Sequence, residues 1–188
     1  MKNFYEVFGY TNPAECLHLQ AFARGKVCLE IGSFLGKATV AMAEVAEKVY
    51  TMDTFKENPW SLGTQKKKFT TLEAFKENIG GYNNIEYFIG KSKDILPKLD
   101  IVVDLVFIDG DHSYPGVKKD ILSSWPKLNV GGTLVLHDYY IEGSSPKNEP
   151  VLNAAKGVLK ASREIFGDDF IEGHEHLMAW FTKKGAEI

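Results

Sequence analysis

Residues Ile101 to Ile108, Ile-Val-Val-Asp-Leu-Val-Phe-Ile, form a near-continuous apolar run broken only by Asp104. A strand of this kind has no face suited to water, so it belongs in the middle of a parallel sheet covered on both sides. The rest of the chain supplies the partners. Val27 to Ile31, Val49 to Asp53 and Ile85 to Ile89 are further short runs. Helical spacing fills the gaps between them. Residues 36–47 are Ala-rich; Phe69, Leu72, Phe75 and Ile79 share one face that ends near Gly80-Gly81. Val117, Ile121, Trp125 and Leu128 form another stripe, and Val151, Ala155, Val158, Ser162 and Ile165 a third. Ser92 is placed to cap a short helix carrying Ile95, Leu96 and Leu99, and Pro115 suits a first helical position. Gly131-Gly132 turns the chain into a strand from Thr133 to Leu136.

Strands that alternate with helices imply right-handed crossovers and an α/β fold. Phe170-Ile171 and Leu177 to Phe181 read as two closing strands. Only Glu172 to His176 separates them, so they form a hairpin and one of them runs antiparallel. Ahead of Val27 lies a lead-in helix: Asn12 caps it, Pro13 starts it, Glu15 stands at its third position and Gly25 ends it. With 188 residues and no repeat or linker, the chain is expected to form a single domain, 1–188, with 1–25 as lead-in and 26–184 as core.

Composition narrows the partners. A formal charge of -3, with Lys66-Lys67-Lys68 as the one basic run, argues against nucleic acid. No stretch has the length and apolarity of a membrane span, and the opening residues lack a secretory pattern, so a cytoplasmic location is expected. Cys16 and Cys28 have no metal-type spacing, and Cys28 reads as a buried thiol. The exposed-looking aromatics Phe4, Tyr5, Phe8 and Tyr10 mark either a homodimer contact or a lid.

The first strand ends in Glu30-Ile-Gly-Ser-Phe-Leu-Gly36. A glycine-rich turn between a strand and a helix places a nucleotide over the strand ends. It is one residue short of a P-loop, and Ala38 stands where that loop needs a hydroxyl. A dinucleotide loop needs a glycine where Glu30 stands. A carboxylate beside a pyrophosphate would repel it by about a kcal/mol or more, whereas a cationic ligand would be attracted. S-adenosylmethionine carries an ammonium and a sulfonium and no phosphate. Asp53, at the end of the second strand, is spaced to accept hydrogen bonds from ribose hydroxyls; taken alone it is equally a turn residue.

With these features in place the chain resembles a class I S-adenosylmethionine-dependent methyltransferase over about Gly25 to Lys183. The resemblance is to the small-molecule O-methyltransferase branch. It is carried by Phe107-Ile-Asp-Gly-Asp-His-Ser-Tyr114 and Leu134-Val-Leu-His-Asp-Tyr139, with Gly116-Val-Lys-Lys-Asp120 and Trp125-Pro-Lys-Leu-Asn-Val-Gly-Gly132 between them. It implies a Rossmann-like three-layer αβα sandwich whose seven strands run 3-2-1-4-5-7-6, with strand 7 antiparallel. It also implies that Glu30, Gly32, Ser33 and Gly36 contact the methionine end of the cofactor. Asp53 would hold the ribose, Thr54 and Phe55 would lie against the adenine, and Ser92 near its amino group. Lys91 stands where relatives often carry an acid. Asp109 and His112 would line the methyl-transfer side.

Asp109, Asp111, His112, His137 and Asp138 all fall at the carboxyl ends of adjacent strands. Three readings stay open. His112 or His137 is a general base for a hydroxylated small-molecule acceptor, with Asp138 beside it. Alternatively Asp109 and Asp138, with His137, hold a divalent, magnesium-like metal that acidifies the acceptor. In the third, His137 and Asp138 only orient each other. The segments 56–65 (with Trp60) and 139–149, together with the lead-in helix, are expected to form a lid over the acceptor. His174 and His176 read as surface residues. The competing functions are an NAD(P)-dependent oxidoreductase and a non-catalytic S-adenosylmethionine-binding module.

Overall fold

The computed structural model describes residues 1–56, 71–139, 149–167 and 170–185. Trp60, Phe69, the lysine run 66–68 and most of the segments expected to form a lid lie outside these residues. Seven strands and six α-helices are found among the described residues: α1 (Pro13–Ala23), β1 (Val27–Ile31), α2 (Lys37–Ala43), β2 (Lys48–Asp53), α3 (Thr71–Ile79), β3 (Ile85–Ile89), α4 (Ser92–Ile95), β4 (Val103–Ile108), α5 (Tyr114–Ser124), β5 (Leu128–Leu136), α6 (Glu149–Phe166), β6 (Gly173–Glu175) and β7 (Met178–Thr182). They form one sheet in the order β3-β2-β1-β4-β5-β7-β6. Strands β1 to β5 pair in parallel, and β7 is antiparallel to both β5 and β6.

The period of two is visible in how β4 and β5 divide their side chains. Leu105, Phe107 and Val135 face one core, with Leu19 and Ala23 of α1 and Ala38 and Met42 of α2. Val106, Ile108, Leu134 and Leu136 face the other, with Val117 and Ile121 of α5 and Val158 and Ala161 of α6. Two apolar layers, each closed by helices, leave no wet face on the central strands. This is why the 101–108 run carries so little polarity. Leu105, Val106 and Phe107 are all fully buried.

Three boundaries differ from the sequence reading. Strand β5 begins at Leu128, five residues early: Gly131, in the left-handed region, lets Asn129 to Gly132 bulge while the pairing jumps from Val103–Leu128 to Leu105–Thr133. The glycine pair therefore kinks a strand and does not precede one. Strand β6 lies at Gly173–Glu175, and Phe170-Ile171 packs instead on the α5–α6 core. Only glycine fits at 173, because a Cβ there would come within 2.4 Å of the Trp180 ring. Ser92 does not cap α4; Lys91 takes that position, and Ser92 is the first helical residue. The lead-in helix is as expected. Asn12 Oδ1 accepts from the Glu15 amide, the Glu15 carboxylate accepts from the Asn12 amide, and Gly25 follows with a φ of 67°. Phe4 is buried, whereas Tyr5, Phe8 and Tyr10 remain exposed.

Candidate active site

The carboxyl ends of β1 to β5 open into one cleft of about 1280 Å³. The glycine loop forms its floor. Gly32 has a φ of 99°, and a Cβ there would sit 2.1 Å from the Asp109 carbonyl oxygen. The glycine is thus demanded by the end of β4 passing beside β1, before any ligand is considered. Phe34 also adopts a left-handed backbone, φ 47°, and turns its amide to Asp53 Oδ2 at 2.8 Å. The other Asp53 oxygen accepts from the Phe55 amide at 2.8 Å. Asp53 therefore ties the loop to the end of β2 while still lining the cleft.

Glu30 does not stand where the sequence reading put it. It is fully buried beneath the loop and is not part of the cleft lining. Its Oε2 accepts from the Thr39 and Thr51 hydroxyls, each at 2.5 Å, and Oε1 has no partner. Ser33 lies 2.5 Å from Thr51 Oγ1, so the loop is tethered to the buried carboxyl through two hydroxyls. Burial pushes the Glu30 carboxyl up to about 8, against the pull of those two hydroxyls. The shift favours the neutral form, so the residue is a weaker source of charge at the mouth of the loop than its sequence position suggests. Gly36 and Phe55 also lie outside the lining; Phe55 packs on Phe75, with ring centroids 4.8 Å apart. Gly32, Ser33, Asp53, Thr54, Ser92, Asp109, His112, His137 and Asp138 are brought together around the cleft.

Ser92 donates to Asp120, a residue on α5 that the sequence shows within a motif but to which it assigns no role in the site. Asp120 is buried, lines the same cleft, and is pushed up to about 6, chiefly by that burial. Lys37, Lys56, Lys91, Lys93 and Lys119 complete the rim.

At the ends of β4 and β5 the carboxylates and imidazoles form one cluster. His112 Nε2 bridges Asp109 Oδ1 at 3.1 Å and Asp138 Oδ2 at 3.2 Å. His137 is buried, with Nδ1 3.3 Å from Asp109 Oδ1 and 3.5 Å from Asp138 Oδ1. Neither contact is aligned as a hydrogen bond, so Nδ1 is a buried polar atom without a matched partner. The other ring nitrogen, Nε2, lies 3.3 Å from Glu15 Oε2. Asp138 is held in the left-handed region, φ 54°, a strain of the kind found at functional sites. Burial works against charge on His137, but the surrounding carboxylates, Asp109 foremost, outweigh it and hold the imidazole well above its ordinary range. His112 is raised in the same way, burial being overcome by Asp109 and Asp138. Burial likewise opposes the charge of Asp109, and the two imidazoles overcome it and push that carboxyl far down. Asp109, His137 and Asp138 each present one donor atom within 4.8 Å of the others, which suits a cation.

Glu15 was legible as a helix cap and not as a site residue; nothing local links it to a histidine 122 positions away. His18 pairs with Glu175 at 2.9 Å beside Trp180, outside the cleft, and His174 and His176 are exposed.

A parallel sheet that reverses at β7, a glycine loop after β1, an acid after β2 and a polar cluster after β4 and β5 together define the class I methyltransferase architecture. A family model described as a methyltransferase domain matches residues 29–139, and the chain belongs to that family. Family and strand order together favour the methyltransferase reading over the oxidoreductase alternative. A viral relative, uncharacterized protein R132 of Acanthamoeba polyphaga mimivirus, is 30% identical over 131 residues; the match covers 58% of this chain and 59% of that protein's length. Among solved structures, the SAH-bound Podospora anserina methyltransferase PaMTH1 superposes with a TM-score of 0.71 at 16% identity, covering 94% of this chain and 80% of the other. The O-methyltransferase from Bacillus cereus in complex with SAH gives 0.65 at 16% identity, with 93% and 83% covered. These two likenesses concern the fold. Among the described residues, no helix is long and apolar enough to cross a membrane.

Proposed function

We propose that this chain transfers the methyl group of S-adenosylmethionine to an oxygen of a small hydroxylated molecule, and that the reaction takes place against the Asp109–His112–His137–Asp138 cluster. The observation that carries this reading is the meeting, in one cleft, of the loop Gly32–Ser33, the acid Asp53 and that cluster. Gly32 and Ser33 would receive the methionine portion, Asp53 the ribose and Thr54 the adenine face. Ser92 and Asp120 would lie at the adenine amino edge. Glu30 and Gly36 shape the loop from beneath, and Phe55 from behind. Asp109 and His112 would border the sulfonium, whose positive charge the cluster favours. The O-methyltransferase from Bacillus cereus is a neighbour in fold, which supports an oxygen acceptor by analogy.

Methyl transfer is an in-line displacement at carbon. Placing the acceptor oxygen accounts for much of the barrier, about 7–11 kcal/mol where alignment is good. The oxygen must also lose its proton. Against the opposing effect of burial, the neighbouring carboxylates raise both His112 and His137 above the ordinary imidazole range, which favours their protonated forms and works against either ring as the base while the cluster stands. The unmatched Nδ1 of His137, facing Asp109 and Asp138, fits a divalent cation, which would replace the imidazole proton. An imidazole beside two carboxylates suits a softer ion such as Zn²⁺ better than a pure oxygen shell would. Bound there, the ion would act as a Lewis acid that acidifies the acceptor hydroxyl. One observation favours a metal-free reading. The His112 ring already bridges Asp109 and Asp138 through Nε2; in that reading Asp138 receives the proton once His112 swings aside.

Isothermal titration with S-adenosylmethionine, S-adenosylhomocysteine and NAD tests the cofactor. Micromolar binding of the first two and none of NAD is expected, and tight NAD binding alone would end the proposal. Turnover on a panel of hydroxylated acceptors, before and after EDTA, separates the two reaction readings: loss with EDTA and recovery with Zn²⁺ supports the cation.

A further inference from the structure

We infer that Glu15, on the lead-in helix, is a positioning residue for the reaction: its buried carboxylate fixes the Nε2 edge of His137 so that Nδ1 is the atom turned toward Asp109 and Asp138. This rests on the reading of Asp109, His137 and Asp138 as the reacting edge of the cleft.

A glutamate at the third position of a capping box ordinarily lies at a helix surface, wet on one side. Glu15 is only 1% exposed. It accepts three hydrogen bonds there: from the Asn12 amide at 2.8 Å, from the Leu177 amide at 3.2 Å and from His137 Nε2 at 3.3 Å. A cap needs only the first. The other two come from the hairpin before β7 and from the end of β5, which Leu177 joins by accepting the Tyr139 amide at 3.0 Å.

Both Glu15 oxygens already accept backbone amides, Oε2 from Asn12 and Oε1 from Leu177, so the imidazole nitrogen beside Oε2 stands as a donor and carries a proton. The Nε2–H of His137 is therefore committed to Glu15, and Nδ1 is the nitrogen left for the cleft. A ring flip would exchange Nε2 for carbon against a buried carboxylate, at the cost of an unpaired charge. Phe107, edge-on to the imidazole at 6.0 Å, restricts the ring from below. A histidine that binds a metal typically gives its second N–H to such a carboxylate, and that partner sets ring orientation and basicity. The same device ties the site to the chain ahead of it. Tyr10 and Thr11 line the cleft and immediately precede Asn12, so the helix that orients His137 also carries part of the acceptor wall.

The test uses the full chain and its Glu15→Ala, Glu15→Gln and Asn12→Ala variants. The probes are S-adenosylhomocysteine and Zn²⁺, each titrated calorimetrically, with the His137→Ala protein measuring Zn²⁺ bound elsewhere. Imidazole ¹H–¹⁵N spectra report the proton on His137 Nε2. S-adenosylhomocysteine affinity is expected to stay within about threefold in the Glu15 and Asn12 variants. Glu15→Ala should lower Zn²⁺ affinity about 10–100-fold and lose the downfield Nε2 proton. Glu15→Gln, whose amide oxygen still accepts, should recover most of both. Asn12→Ala, which removes the cap alone, should leave both unchanged. The inference is overturned if Glu15→Ala keeps the Nε2 proton and the affinity, or if Asn12→Ala loses as much as Glu15→Ala. Should the unaltered protein bind no S-adenosylhomocysteine, the functional reading fails; the Nε2 signal still decides the role of Glu15.

Discussion

Replacing Glu30 by glutamine should stabilise the protein at neutral and alkaline pH, although the residue underlies the cofactor loop. The carboxyl is buried completely, one oxygen takes two hydroxyls, and the other has no partner. Its ordinary value of 4.5 is pushed up to about 8, burial being the main cause. At about 1.4 kcal/mol per pH unit, ionising it inside the fold costs about 5 kcal/mol. Between those two values the folded state binds a proton that the unfolded chain has released. The contribution is fully present below about pH 4.5, shrinks as pH rises and is gone once pH passes the folded value near 8. Glutamine cannot ionise, and its carbonyl oxygen can still receive Thr39 and Thr51. Its amide leaves N–H groups unpaired, which costs about 1–3 kcal/mol.

The stability difference between Glu30→Gln and the unaltered chain should therefore grow by about 2–3 kcal/mol from pH 6 to pH 8 and level off near pH 9. For a chain of this size each kcal/mol moves the melting temperature by about 2–4 °C. Urea denaturation of both ligand-free proteins at half-unit steps of pH gives the difference directly. Curves that stay parallel across the range would refute the reasoning and mean that Glu30 ionises inside the fold at no cost.

Three further outcomes follow from the same geometry. Gly32→Ala should lose about 2–5 kcal/mol by urea denaturation, because it combines a positive φ with a Cβ 2.1 Å from the Asp109 carbonyl oxygen; an unaltered midpoint would contradict that contact. Gly157→Ala should destabilise to a similar degree, since its Cβ would meet the His112 carbonyl oxygen at 2.1 Å where α6 crosses the start of α5, and its S-adenosylhomocysteine affinity, measured calorimetrically, should fall with it. Asp138→Asn should narrow the preference for S-adenosylmethionine over S-adenosylhomocysteine about fivefold or more by removing a carboxylate from the sulfonium side, whereas Glu30→Gln below pH 8 should leave that ratio unchanged.

The sheet was readable because its central strands are buried on both faces, and burial writes itself into composition. The lead-in helix was readable because Asn12, Pro13 and Glu15 make its start from local hydrogen bonds. The misplaced elements have non-local causes. Gly173 follows the Trp180 ring, and Gly131 follows the pairing of β5 with β4 and with Lys183, whose carbonyl accepts its amide at 2.8 Å. A strand-end pattern likewise located Asp109, His112, His137 and Asp138 but not what they touch. Asp120 joins the cleft through Ser92, 28 residues earlier, and Glu15 through a contact that spans most of the chain. No spacing rule reaches so far.

Glu30 shows where charge read from sequence misleads. A glutamate after a first strand looks like an anion at the mouth of a loop, and attraction to a cationic guest follows from that picture. In the structure the residue is buried beneath the loop and faces hydroxyls, and that burial pushes its carboxyl up to about 8. The conclusion survives for a different reason. Glu15, Asp109 and Asp138 set three carboxyl groups against the two imidazoles of His112 and His137, so even with both imidazoles protonated the cluster is formally one positive charge short. That deficit borders the open cleft, where Asp109 and Asp138 are partly accessible. In a partly buried setting an uncompensated carboxylate favours a cation by kcal/mol amounts that bulk water would erase. A sulfonium, a divalent ion or both would supply the missing charge. The preference for a positively charged guest thus resides about the ends of β4 and β5, with the glycine loop contributing shape.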